Sequence, residues 1–304
     1  MGLSRMAMRV NFIRYSKIYF VFGGILMLAS IVALVVYGLR PGIDFTGGSI
    51  LEVEYPQGRI TNEAVEQKLA DLNLDSLSVQ AAGEQGVIIR MKYVNEEIHQ
   101  EIIKRLGGSG TVEEKRFESV GSVIGRELKQ KTLILVFICL FAIVFYIALA
   151  FRKVRGSVKS WQYALSSLVS LFHDILIPLG VFAVLGQFYH VEISIAVITA
   201  LLTVIGCSIN NVVVVFDRIR ENTIKRGIVT FAETVNDSLN QTLVRCLNTS
   251  FVYLLPLVAI FFFGGETLKY FALALIIGIV AGTYSAAFLA SPLLVAWQGL
   301  KKTS

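Results

Sequence analysis

Apolar residues gather along this chain into six runs, each near the roughly 20 residues a helix needs to cross a bilayer. The runs cover 18–38, 132–151, 163–186, 192–216, 244–264 and 270–297. The first, IYFVFGGILMLASIVALVVYG, exceeds the apolar part of a secretory leader. No small-x-small cleavage site follows it before Arg40-Pro41, so it reads as a retained anchor. Between the first two runs the period changes. Residues 49–55 alternate and predict a strand, and 61–73 predict a helix capped by Thr61. Two alternating stretches in 77–93 flank Gly83-Glu84-Gln85-Gly86 and predict a hairpin. Residues 95–106 predict an amphipathic helix capped by Asn95, and 111–118 a last strand.

The order β-α-β-β-α-β is that of the ferredoxin-like motif, and about 90 residues suit one domain. The predicted fold class is thus an α-helical membrane protein with six transmembrane helices and one ferredoxin-like α+β domain between spans one and two. The chain divides into 1–38 (tail and first span), 39–130 (α+β domain) and 131–304 (five further spans). Residues 217–222, DRIREN, read as a charged turn leaving span four. Residues 229–243 read as an amphipathic stretch along the membrane surface before span five. No low-complexity segment or clear internal repeat is visible. A fold of this kind names no function.

Composition agrees with the pattern. Of 304 residues, 55% are hydrophobic and 16% charged, against about 25% charged in an ordinary soluble domain. The net charge of +6 would suit a nucleic-acid binder, but its distribution argues otherwise. Residues 42–129 carry a net −5 and the remainder +11. The positive share sits in the N-terminal tail (Arg5, Arg9, Arg14, Lys17), in 152–161 (Arg152, Lys153, Arg155, Lys159), in 217–243 (Arg218, Arg220, Lys225, Arg226) and at Lys301 and Lys302. The short loops on the opposite side, 187–191 and 265–269, hold one Lys. By the positive-inside rule both termini face the cytoplasm and 39–130 lies outside it. Cys139, Cys207 and Cys246 stand in apolar surroundings with no CxxC, and read as small buried hydrophobes.

There is no GxxxxGK[ST], HExxH, GxSxG or paired Cys/His cluster. The sequence therefore predicts no metal, no cofactor and no bond-making enzyme activity, and any work is driven by an ion gradient or a partner. Ionisable groups within spans are costly in hydrocarbon and mark function. Span three holds His173 and Asp174. Span four carries Thr199, Thr203, Cys207 and Asn211 at four-residue spacing, with Ser208 beside them. Span five opens with Arg245, Asn248 and Thr249. These faces are expected to meet, with Arg245 pairing to Asp174 or Asp217. Hydrogen-bonding glue between helices explains the hydroxyls and amides equally well, but glue does not need the charges of Asp174 and Arg245. His173 reads equally as a satisfied interfacial histidine. Gly278 and Gly282 form a GxxxG close-packing pattern in span six.

Several stretches resemble the SecD/SecF protein-export family. They are Gly42-Ile43-Asp44-Phe45-Thr46-Gly47-Gly48 after span one, Val120–Leu128 before span two, and 172–178 (FHDILIP), 204–222, 242–250 and 282–292. The order of these motifs, one domain and six spans look like the SecF branch, over nearly the whole chain. The resemblance implies an accessory subunit of the Sec preprotein translocase in the bacterial cytoplasmic membrane. Such a subunit works with SecD, the Sec channel, unfolded preprotein and lipid, and uses the proton-motive force. Where the family has an acid in span four, this chain has Asn211, and an amide cannot lose a proton near neutral pH. Cys207, Val212 and Ser122 also depart from the family pattern, whereas Arg245 matches it. Two other readings stay open: a proton-coupled small-solute transporter of the same superfamily, and a purely structural stabiliser of SecD.

Overall fold

Thr61 and Asn95 cap the helices that the sequence has them start. The Thr61 side chain accepts from the Ala64 N–H and that of Asn95 from the Ile98 N–H. A computed structural model describes residues 10–302 apart from 57, 59, 73, 75, 84, 109–111, 152–158 and 226–229. Arg5, Arg9, Arg152, Lys153, Arg155 and Arg226 of the orientation pattern, and Glu84 of the hairpin, lie outside the described residues. The chain forms two units, one of Met1–Arg40 with Val136–Ser304, the other of Pro41–Leu135.

In the second unit the short helices are α2 (Ile43–Thr46), α3 (Asn62–Leu69) and α4 (Glu96–Gly107), and the strands are β1 (Gly48–Glu54), β2 (Ser78–Ala82), β3 (Gly86–Met91) and β4 (Glu113–Val120). The sheet order is β2-β3-β1-β4 with every neighbour antiparallel, which is the ferredoxin-like arrangement. Alternation along the strands decides the core. Leu51, Val53, Val87 and Ile89 point to one face, where Val65, Leu69, Ile102 and Leu106 of the two helices cover them. The other face bears Glu52, Arg90, Arg116 and Glu118. Burial opposes the charge of the Arg116 guanidinium, but the Glu118 carboxylate, with Glu52 and Asp44 further off, outweighs it and raises the Arg116 pKa. Two strands form the rims: β4, charged and with a register shift against β1 at Glu52/Val53, and β2. At β2 the Asn62 Nδ2 of α3 donates to the Val79 carbonyl, 3.4 Å away.

Gly42–Gly48 folds as a joint in this unit. Ile43 and Phe45 are buried, and Thr46 Oγ1 donates to the Gly42 carbonyl at 3.1 Å. Gly47 has φ +76°, open to glycine at little cost, and a Cβ there would stand 2.6 Å from the Ser122 Cα. A Cβ on Gly125 would meet the Gly47 nitrogen at 2.9 Å. The two sequence motifs therefore pack against each other, backbone to backbone.

The first unit contains α1 (Ser16–Tyr37), α6 (Ser160–Tyr189), α7 (Ile195–Lys225), α8 (Phe231–Phe263), α9 (Glu266–Ser285) and α10 (Ser291–Lys302), with most of α5 (Ser122–Ala150). Between α9 and α10 the span passes through a π-helical turn, Ala286–Ala290. Among the described residues six helices, with α9, this turn and α10 counted as one span, are long and apolar enough to cross a membrane. Three boundaries differ from the sequence reading. Helix α5 starts at Ser122, ahead of its apolar run. Residues 217–222 are no turn. They continue α7 to Lys225, held by Arg218–Glu221, Arg220–Asp217 and Glu221–Lys225 pairs at helical spacing. The stretch after Thr230 is no separate surface helix. Thr230 and Glu233 make a reciprocal capping box, and α8 then runs unbroken to Phe263, about 50 Å at helical rise.

Helix α9 packs on α6, α7 and α8. Gly278 and Gly282 bring its backbone against Val204 and Ser208 of α7. A second core gathers Phe151, Tyr163 and Phe216, with Tyr163 stacked on Phe151 at 5.0 Å. The chain before α1 is tied to α8. Val10 exchanges two hydrogen bonds with the Asn240 side chain at 3.0 and 2.9 Å, and Phe12 is buried beside Phe288.

Candidate functional site

Span three places Asp174 where three helices converge. Asp174 and His173 have no exposed surface. Asp174 Oδ1 lies 2.9 Å from His173 Nδ1. Its Oδ2 accepts from Ser208 of α7 and, at 2.8 Å, from Ser285 at the end of α9. Ser170, one turn earlier on α6, is 2.7 Å from the Ser285 hydroxyl. With the Ser285 proton engaged by the carboxylate, Ser170 donates to Ser285. The donors therefore run Ser170→Ser285→Asp174←Ser208. A buried carboxylate is tolerated only when its lone pairs are so occupied. Pro178, four residues on, has no N–H to give the Asp174 carbonyl, so this turn of α6 also offers a backbone acceptor.

A second buried chain lies one turn along α7. Asn211 Nδ2 donates to Ser250 Oγ of α8 at 3.3 Å, and Ser250 is 2.6 Å from Thr283 Oγ1 of α9. Thr283 gives its proton to the Ile279 carbonyl at 2.7 Å. Ser250 therefore donates to Thr283 and accepts from Asn211. The chain Asn211→Ser250→Thr283 links three helices without a charge.

The polar ladder of span four is not one face. Thr199 and Thr203 are exposed, Cys207 is half-buried and Asn211 is buried. A step of four residues overshoots a turn by about 40°, so three steps carry the ladder from the surface into the core. Arg245 and Asn248 lie on an exposed face of α8. The expected ion pair of Arg245 is not formed: Asp174 pairs with His173, and Asp217 with Arg220 at 3.4 Å. Arg245 faces outward from α8, whereas Asp174 faces α7 and α9. Asp217 is exposed on the extension of α7. Ser285, Ser250 and Thr283 were not singled out from the sequence. Their signal is weak, being hydroxyls in a small-residue stretch. Among the described residues no group of three or more His, Cys, Asp or Glu is placed to hold a metal.

Residues 99–300 match the family profile described as protein export membrane protein SecD/SecF, C-terminal, and residues 32–55 match the SecD/SecF GG motif. The protein translocase subunit SecF of Thermobaculum terrenum is 38% identical over 95% of this chain and 94% of its own length. That of Synechocystis is 33% identical over 96% of this chain and 95% of its own. The subunit SecDF of Brucella abortus is 35% identical over 96% of this chain, which spans 38% of that protein. Among solved structures, SecDF from Thermus, described as a translocon-associated membrane protein, superposes with a TM-score of 0.81 at 33% identity. There 98% of this chain covers 40% of the longer one.

Proposed function

The chain belongs to the SecD/SecF family of protein-export membrane proteins, and from that premise we propose that it is the SecF-type accessory subunit of the Sec translocase, joined to a SecD partner and driven by the proton-motive force. In this reading both termini are cytoplasmic, and the α/β unit stands on the outer side, where the translocated chain emerges.

The exposed polar face of α7 and α8 carries the reading. Thr199, Thr203, Asn210, Arg245 and Asn248 are all exposed on spanning helices. A charged or amide side chain facing lipid costs about 2.5–3.5 kcal/mol near the centre of a span for the charged case, so a second set of helices is needed to cover it. In relatives named SecDF, the region matching this chain is 38–40% of a longer protein, and the remainder is long enough to supply that cover. The Thr199 and Thr203 hydroxyls already donate to their own helix at 2.9 Å, which leaves Asn210, Arg245 and Asn248 as the groups that most need a partner.

The test is paired. Arg245→Ala and Asn248→Leu should reduce co-purification with SecD and lower gradient-dependent export, while leaving the amount of chain in the membrane unchanged. Undiminished SecD association and export in both variants would overturn the reading. A purely structural stabiliser of SecD is the second reading, favoured by the neutral Asn211. It predicts that export falls equally with the gradient intact or collapsed when this chain is removed.

A further inference from the structure

Of the two acids in the six apolar runs, Glu192 lies ahead of α7, which begins at Ile195, and Asp174 alone stands within a helix. Position 211 is an amide, which donates to Ser250 and takes up no proton near neutral pH. A proton taken up by this chain inside the membrane therefore has one carboxylate available, with the imidazole bonded to it. On the helices packed against α6 the titratable side chains within the apolar runs are Tyr19 and Tyr37 of α1, Cys207 of α7, and Tyr270 and Tyr284 of α9. None is Asp, Glu, Lys or Arg.

The pair has a built-in vacancy for one proton. With Nδ1–H directed at Asp174, the neutral imidazole presents a lone pair at Nε2. That nitrogen is buried and has no hydrogen-bond partner among the described residues. The His173 ring stacks on Tyr284 at 5.8 Å. Tyr284 in turn lines an apolar cleft of about 470 Å³ together with Leu243, Ser250, Phe251, Thr283 and Phe288. The cleft and the imidazole thus share a wall.

We propose that the His173–Asp174 pair is a proton-binding site belonging to this chain, and that α7 and α9 read its charge through Ser208 and Ser285. The proposal rests on the gradient-driven reading above. The unprotonated pair carries one negative charge in an enclosed site, and Ser208 and Ser285 then make charge-assisted bonds to Oδ2. A proton arriving at Nε2 either remains, giving imidazolium and carboxylate, or is balanced by passage of the Nδ1 proton to Oδ1, giving imidazole and carboxylic acid. Each form has gained one proton and has no net charge. Neutral hydrogen bonds are about half as strong as charge-assisted ones, so passage of the proton to Oδ1, which leaves a neutral carboxyl, loosens the clamps from α7 and α9. The π-helical turn Ala286–Ala290 begins at the residue after Ser285. Such turns are marginal helix geometry found often at functional sites, and this one gives the span a place to change register when Ser285 is released.

The experiment uses the full chain in lipid nanodiscs, followed by infrared difference spectroscopy of carboxyl groups and histidine NMR across about pH 5–8. A titrating imidazolium or carboxylic acid signal is expected, absent in Asp174→Asn. His173→Gln, which keeps a donor to the carboxylate, should transfer any imidazolium signal to the carboxyl band. Ser285→Ala should bind the proton about tenfold more tightly, because the ionised form loses a charge-assisted donor; a packing role alone would not move the midpoint. If Asp174→Asn fails to fold, the His173→Gln and Ser285→Ala shifts decide the matter. No titration in the unaltered chain overturns the proposal. So does gradient-driven export that persists in a folded Asp174→Asn variant, and in that case the gradient-driven reading stands. Export indifferent to the gradient in the unaltered chain sinks that reading and the coupling together, whereas the spectra still establish whether the pair binds a proton.

Discussion

Asn211 of α7 donates its amide proton to Ser250 of α8 across 3.3 Å, in a pocket where Asn211 keeps 6% of its surface. The bond joins two spans without placing a charge between them. Because Ser250 spends its own proton on Thr283, it has only a lone pair to offer position 211.

Substitutions at 211 should therefore divide by pH. Asn211→Leu removes a donor and should destabilise the chain by about 1–2 kcal/mol at every pH. Asn211→Asp sets a carboxylate against that same lone pair, so its loss should grow as pH rises, and gradient-driven export should gain a new pH dependence. Thermal unfolding of the detergent-purified chain at several pH values, with export measured in parallel, checks both. A pH-independent loss in Asn211→Asp would contradict the donor assignment.

Gly47→Ala should destabilise the α/β unit by about 1–3 kcal/mol. It adds a Cβ at φ +76°, and that atom would sit 2.6 Å from the Ser122 Cα, a backbone neighbour that cannot rotate away. Gly38, at φ +69°, has nothing within 4 Å of the place a Cβ would take, so Gly38→Ala suffers only the conformational part. Hydrogen exchange of β1 and β4 amides in the two variants should show the larger loss at Gly47.

Gly278→Leu should separate α9 from α7. The added side chain must enter the space held by Val204, and overpacking of this kind costs about 1–3 kcal/mol. A lower unfolding temperature is expected, partly restored by Val204→Ala in the same chain. Failure of that second change to restore stability would show that the contact is not the source of the loss.

In the α/β unit, the Gln100 amide, and after it His99, hold the Glu96 carboxyl below the usual carboxylate range. A depressed carboxyl contributes stability above its unfolded value and loses it as pH falls through its folded value. The difference in α4 amide protection between the natural chain and Glu96→Gln should thus be present at neutral pH and vanish in acid. A difference that widened on acidification would contradict this linkage.

Much of the architecture was legible because its signals are local. Twenty apolar residues mark a span, and Thr61 or Asn95 followed by a helical run marks a start. The charged end of α7 misled, because DRIREN reads as a turn by polarity alone while its pairs fall at helical spacing. The site was less legible because its members are distant. Ser285 reaches Asp174 from 111 positions away. Fourfold spacing suggested one face in span four, yet the helix rotates Thr199 to the surface and Asn211 to the core. The π-helical turn after Ser285 leaves no mark in composition.

The side chain of Asn62 on the Val79 carbonyl has a consequence for a protein that, on the proposed reading, works beside unfolded polypeptide. Strand β2 is a five-residue rim with no charge and no proline, the kind of edge to which a stray extended chain adds itself. With that carbonyl already taken from α3, and β4 at the opposite rim charged and bulged, the sheet offers passing polypeptide no continuous row of partners, and so stays a discrete body amid material that could otherwise polymerise onto it.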